Sequence, residues 1–132
     1  MYRWVDHTSE VELEIEAAGE REVFEEAVRA LAELLGAVAD ATRATFVRRV
    51  AVHATDRPAL LAAWLEELAF LAEADGFVAT HVMELEMDAD AVHATVGGVL
   101  GAPPPLVKAV TYHRLAFEPS GKEYFARVVL DV

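Results

Sequence analysis

Cysteine is absent from all 132 residues. That excludes a disulfide framework, a thiolate metal site and a cysteine nucleophile. Basic side chains are scarce. The chain has 11 lysines and arginines against 23 acids, for a net charge of −12, and lysine occurs only at Lys108 and Lys122. Such a surface repels phosphate backbones, so direct nucleic-acid binding is not expected. The acids either keep the protein soluble or meet a cation or a basic partner protein. Long hydrophobic runs are also missing. Hydrophobic residues make up 55% of the chain, but charged residues break the apolar stretches well short of a membrane span. The opening Met-Tyr-Arg-Trp-Val-Asp lacks the apolar core of a signal peptide. A cytoplasmic protein, with no membrane contact, is the expectation. Local catalytic motifs are lacking too. Gly97 to Gly101 have neither the spacing nor the strand-to-helix setting of a nucleotide loop. No serine sits in a nucleophile elbow, and no histidine pair has zincin spacing.

The apolar content suits one compact domain spanning residues 1–132. Val11, Leu13, Ile15 and Ala17 alternate with Glu10, Glu12, Glu14 and Glu16, which predicts a strand with one buried and one wet face. From Arg21 to Val38 apolar residues recur every three or four positions, which predicts an amphipathic helix ending near Gly36. Thr42 to Thr55 alternate again and read as a second strand. Thr55 or Asp56 can cap a following helix, with Pro58 in its first turn and Gly76 after its last. That helix is apolar around much of its circumference, as a central core helix must be. Two hairpins follow, with turns at Asp88–Asp90 and Pro119–Gly121, separated by the rigid Gly-Ala-Pro-Pro-Pro break at 101–105. The fold class is α+β: a mixed or antiparallel sheet packed with two helices, in the order βαβα and then four strands.

Three places could carry chemistry. The first is the polar cluster Asp6-His7-Thr8-Ser9-Glu10. The second is Lys108-Ala-Val-Thr111-Tyr112-His113. In a regular strand, Val110 and Tyr112 point one way and Ala109, Thr111 and His113 the other. A buried tyrosine, an edge histidine and an edge-blunting lysine account for this stretch as ordinary structure. The third is Asp131-Val132, where a side-chain carboxylate and main-chain oxygens lie close together and suit a hard cation such as calcium or magnesium. His53, His81 and His93 occur singly within strands, as packed or rim residues do.

Taken together and in order, these stretches resemble the archease family. Its members open with Glu/Asp-His-Thr-Ala-Asp and carry a Trp-Leu-Asn/Glu-Glu-Leu-like helix, a Lys-Ala-Val/Ile-Thr-Tyr-His strand and an Asp-Val/Ile end. Here these are Asp6 to Glu10, Trp64 to Leu68, Lys108 to His113 and Asp131-Val132. The resemblance implies an accessory protein, not itself a catalyst, that activates an RtcB-type RNA ligase in tRNA splicing and RNA repair. It would do so by promoting guanylylation of the ligase's active-site histidine and multiple turnover.

The resemblance also implies a divalent-metal site, with calcium as the ligand and magnesium or manganese as alternatives. Its ligands would be Glu10, Asp131 and Val132, the last through main-chain or carboxylate oxygens. Lys108, Thr111, Tyr112 and His113, with Asp6 and His7, would serve activation of the partner. The chain departs from the family motif at Ser9-Glu10, which replaces Ala-Asp. Glutamate keeps the carboxylate but sets it one methylene further out. Two other function classes stay open: a chaperone-like protein-binding module, and a small metal-dependent hydrolase using Glu10 or Asp131 with His7 or His113 as base. The oligomeric state is not legible in the sequence.

Overall fold

The computed structural model describes residues 1–37, 45–101 and 107–132. The elements run β1 (Tyr2–His7), β2 (Glu10–Ala17), α1 (Glu20–Leu34), β3 (Phe46–His53), α2 (Arg57–Asp75), β4 (Phe77–Met87), β5 (Ala91–Leu100), β6 (Ala109–Ser120) and β7 (Glu123–Asp131). The α+β class holds. The order gains a strand at its start, β1, and the strands divide into two antiparallel sheets, ordered β1-β2-β7-β6 and β3-β5-β4. The helix tail at Val38, the start of the second strand at Thr42 to Ala44 and the break at Ala102 to Pro105 lie outside the described residues.

The expected helix boundaries are present. The Asp56 side chain accepts a hydrogen bond of 2.9 Å from the Ala59 N–H, Pro58 lies in the first turn of α2, and Gly76 closes it in the left-handed conformation at φ 64°. Both helices pack against strands of both sheets. α2 therefore buries Leu60, Leu61, Trp64, Leu65 and Leu68 around its girth. Trp64 has no solvent exposure, and its indole N–H donates to the Phe24 carbonyl of α1 at 3.2 Å. The Phe24 and Trp64 rings meet edge to face at 5.9 Å. No described helix is long and apolar enough to cross a membrane.

The turn of the last hairpin falls on Gly121, at φ 63°, and Lys122. Pro119 and Ser120 belong to β6. At Gly98 of β5, the backbone of β4 comes so close that a Cβ would sit 2.1 Å from the Val78 carbonyl oxygen and 2.9 Å from the Ala79 Cα. Both are backbone atoms and cannot rotate away. Gly98→Ala is expected to cost about 1–3 kcal/mol, read as a lowered urea midpoint; an unchanged midpoint would refute the close approach.

Tyr2 ties β1 to α1 by donating its hydroxyl to Glu33. Partial burial, that hydrogen bond and the nearby charges of Glu33 and Glu26 push its pKa up from 10.0 to about 12, with Arg29 opposing. The folded state thus holds the phenolic proton more tightly than the unfolded state. The associated stability is complete below pH 10 and is lost as pH rises to about 12. Thermal unfolding across this window should show the loss in the wild type and a smaller one in Tyr2→Phe. Equal losses would contradict the assignment.

Candidate functional site

Directly opposed residues of an antiparallel sheet share a face. In the four-stranded sheet, Glu10 of β2 stands opposite His7 on one side and Asp131 of β7 on the other, and Asp131 stands opposite Ala109 of β6. The next row on that face is Val5, Glu12, Val129 and Thr111. The three stretches singled out in the sequence therefore meet at one end of one sheet. Main-chain bonds close the corner: the Lys108 N–H donates to the Asp131 carbonyl at 2.8 Å, and the Val132 N–H to the Ser9 carbonyl at 3.3 Å. Thr8 and Ser9 form the two-residue turn between β1 and β2, with Ser9 in the left-handed region at φ 63°.

Glu10, Asp131, Val132, Lys108, His7 and Thr111 are thus gathered. Asp6 is not on this face: its row runs through Val11, Leu130 and Val110, on the side turned to the core. Tyr112 and His113 depart from the expected alternation. Pairing between β6 and β7 stops at Thr111–Val129 and resumes at Ala116–Arg127, so Tyr112 to Leu115 stand opposite Val128 alone. The result is a wide bulge. Tyr112 is pushed out to 59% exposure, against the reading of a packed tyrosine, and His113 is exposed as well. The His113 N–H donates to Thr111 Oγ1 at 2.9 Å.

Two residues not singled out in the sequence hold this bulge. Arg114 sits at φ 59°, in the left-handed region. That conformation costs a residue with a Cβ about 1 kcal/mol. Its carbonyl accepts a bond of 2.9 Å from Arg127 Nε on β7, and its Nη1 donates to Glu12 Oε1 on β2 at 2.7 Å. Glu12, expected on a wet face with Glu10, Glu14 and Glu16, is only 3% exposed. The Arg114 side chain closes over it, and His7 Nε2 lies 3.6 Å from the same oxygen. His7 therefore has Glu12, as well as its cross-strand neighbour Glu10, within its surroundings. The other histidines lie on the second sheet, where the His53 and His93 rings meet edge to face at 5.9 Å.

Two carboxylates directly opposite each other on a sheet repel and cost stability. Their Cβ atoms are about 4.5–5.5 Å apart in such a pair, a spacing that lets both reach one cation at the roughly 2.3–2.6 Å that calcium takes to oxygen. The available donor set is the carboxylates of Glu10 and Asp131, with the main chain of Val132 next to Asp131 in sequence. It fits calcium or magnesium better than a soft metal. Among the described residues no group of three or more His, Asp or Glu side chains could hold a metal ion. Glu12 is occupied by Arg114.

The model of the archease protein family (MTH1598/TM1083) matches residues 2–132. The protein archease of Archaeoglobus fulgidus is 33% identical over 138 residues, which cover 99% of this chain and 98% of the relative. That of Methanosarcina acetivorans is 29% identical over 143 residues, covering 99% and 95%. The solution structure of protein 1598 of Methanobacterium thermoautotrophicum superposes with a TM-score of 0.72 at 26% identity, covering 99% of this chain and 98% of that one. The crystal structure of an archease of Thermotoga maritima, described as a possible chaperone, gives 0.62 at 22% identity over 100% and 98%. That last likeness bears on the fold alone. With the family model matching nearly every residue and a relative above 30% identity along its full length, this chain belongs to the archease protein family.

Proposed function

We propose that this chain is a cytoplasmic accessory protein that activates an RtcB-type RNA ligase, promoting its guanylylation and repeated turnover without catalysing the reaction itself. The observation that carries the reading is the facing pair Glu10–Asp131, with Lys108, Thr111 and Val132 at the same end of the sheet. Membership of the family supports it. The net charge of −12 turns the chain away from RNA and toward a protein partner.

In this reading Glu10 and Asp131 hold a divalent cation through their carboxylates, and Val132 adds a main-chain oxygen. When bound, such an ion would supply positive charge for the phosphates of the nucleotide being transferred. The chain's own residues do the placing. Lys108 stands at the rim as a second cation. Tyr112 and His113 stand clear of the sheet as contact points for the ligase. The extra methylene of Glu10 alters the fit of the ion, which calcium tolerates more readily than magnesium.

A chaperone-like role is the second reading. The exposed Phe70, Met83 and Tyr112 favour it. It requires the protein to suppress aggregation of unrelated chains regardless of Asp131.

Two outcomes are expected. Sub-stoichiometric wild-type protein should raise guanylylation of the cognate ligase, and Asp131→Ala should abolish the effect while keeping a cooperative melt; normal stimulation by that variant would sink the proposal. Asp131→Asn, by removing the like-charge pair, should raise stability in chelator by roughly 0.2–1 kcal/mol. Added calcium should then raise the thermal midpoint of the wild type and leave that of Asp131→Asn unmoved. A calcium response of equal size in both would remove Asp131 from the ligand set.

A further inference from the structure

We infer that Glu12 and Arg114 are positioning residues, which fix the projecting Tyr112–His113 segment relative to the Glu10–Asp131 pair and so make one contact surface of two strands' ends. The inference rests on the proposed activation of a protein partner and deepens it.

The hairpin of β6 and β7 has no need of this arrangement for its own sake. A regular hairpin would carry one residue opposite Val128, not the four from Tyr112 to Leu115. Two unfavourable features are built in at this point. One is a non-glycine residue at φ 59°. The other is a carboxylate whose side chain is only 5% exposed, which is costly unless it is paired and hydrogen-bonded. Each accounts for the other. The left-handed turn at Arg114 aims its side chain back across the sheet, and the charge-assisted bond of 2.7 Å to Glu12 satisfies the acid. Features of this kind persist where the surroundings over-determine them and cluster at sites that bind.

The connections are specific to the acidic pair. Through its guanidinium the bulge is tied to β2, two residues beyond Glu10 and on the same face. Through the Arg114 carbonyl it is tied to Arg127 of β7, the strand that carries Asp131. Thr111 Oγ1 holds the His113 N–H from within. The bulge is therefore braced against both strands whose ends bear the carboxylates. Tyr112 and His113 are left with exposed side chains on a fixed backbone, which lowers the ordering cost of a contact made through them.

The test uses the full-length protein and the cognate ligase. Arg114→Ala and Glu12→Gln are each expected to raise the concentration giving half-maximal stimulation of guanylylation by at least tenfold, and Arg114→Lys to recover part of the loss. Calcium should stabilise all of these variants as it does the wild type. A merely structural role predicts additivity, whereas positioning predicts coupling: Tyr112→Ala should weaken stimulation strongly in the wild type and little further in Arg114→Ala. Unchanged half-maximal concentrations, or additive losses, would overturn the inference. If the wild type stimulates no ligase, the activation reading fails by itself, and the positioning is then read from amide exchange. Exchange at residues 112–115 should quicken at least tenfold in both Arg114→Ala and Glu12→Gln with the core amides of β2 and β7 unchanged. Unaltered exchange there would overturn it.

Discussion

The antiparallel pairing of β2 with β7 is the contact on which the rest depends. It joins the two hairpins of the larger sheet and puts β1 and β6 on its outer sides. Because side chains alternate along a strand, its register sets the composition of both faces at once. With Glu10 opposite Asp131, the inner face receives Leu13, Ile15, Ala126, Val128 and Leu130, all buried against the helices. The outer face receives the acids. A slip of one residue would bury Glu10 and Asp131 and expose the aliphatic set. The hydrophobic core and the candidate site are therefore specified by the same pairing, and neither can change register without the other.

This coupling also explains how an acidic end is tolerated. The repulsion between Glu10 and Asp131 acts at the last paired position of the strands, while the rows behind it are balanced. Arg3 bonds Glu14 across β1 and β2, and Arg114 bonds Glu12 across the sheet. The positive charges of this face sit one and two rows behind the facing carboxylates. The acids further in thus have partners.

Much of this was legible in the sequence, and the gaps have physical causes. The alternation of Val11, Leu13, Ile15 and Ala17, the Asp56 and Pro58 start of α2 and its Gly76 stop could be read because each is a local preference. The strand β1 could not be read so easily. Its turn, Thr8-Ser9, has none of the Gly, Asn or Pro that marks tight turns, and its polar flanks hide the alternation of Tyr2 and Trp4. The alternation places Glu12 on a wet face, yet it is buried, and its partner Arg114 lies 102 residues away. No local pattern encodes that contact. The bulge too left no local signal: it is seen only in the pairing, where Tyr112 to Leu115 face Val128 alone. The meeting of Glu10 with Asp131 follows from strand order, whereas the resemblance to archeases rested on motifs far apart in the sequence that the fold brings to one end of the sheet.

The order of strands also bears on when the site comes into being. Both helices and the whole three-stranded sheet lie between β2 and β7 in the chain, so the acidic pair can form only after those segments have been made. A nascent chain presents Glu10 on an unpaired edge and has no facing carboxylate to offer a cation. Pairing of such distant segments comes late because loop closure must precede it. The two carboxylates thus face each other only once β2 and β7, far apart along the chain, have paired.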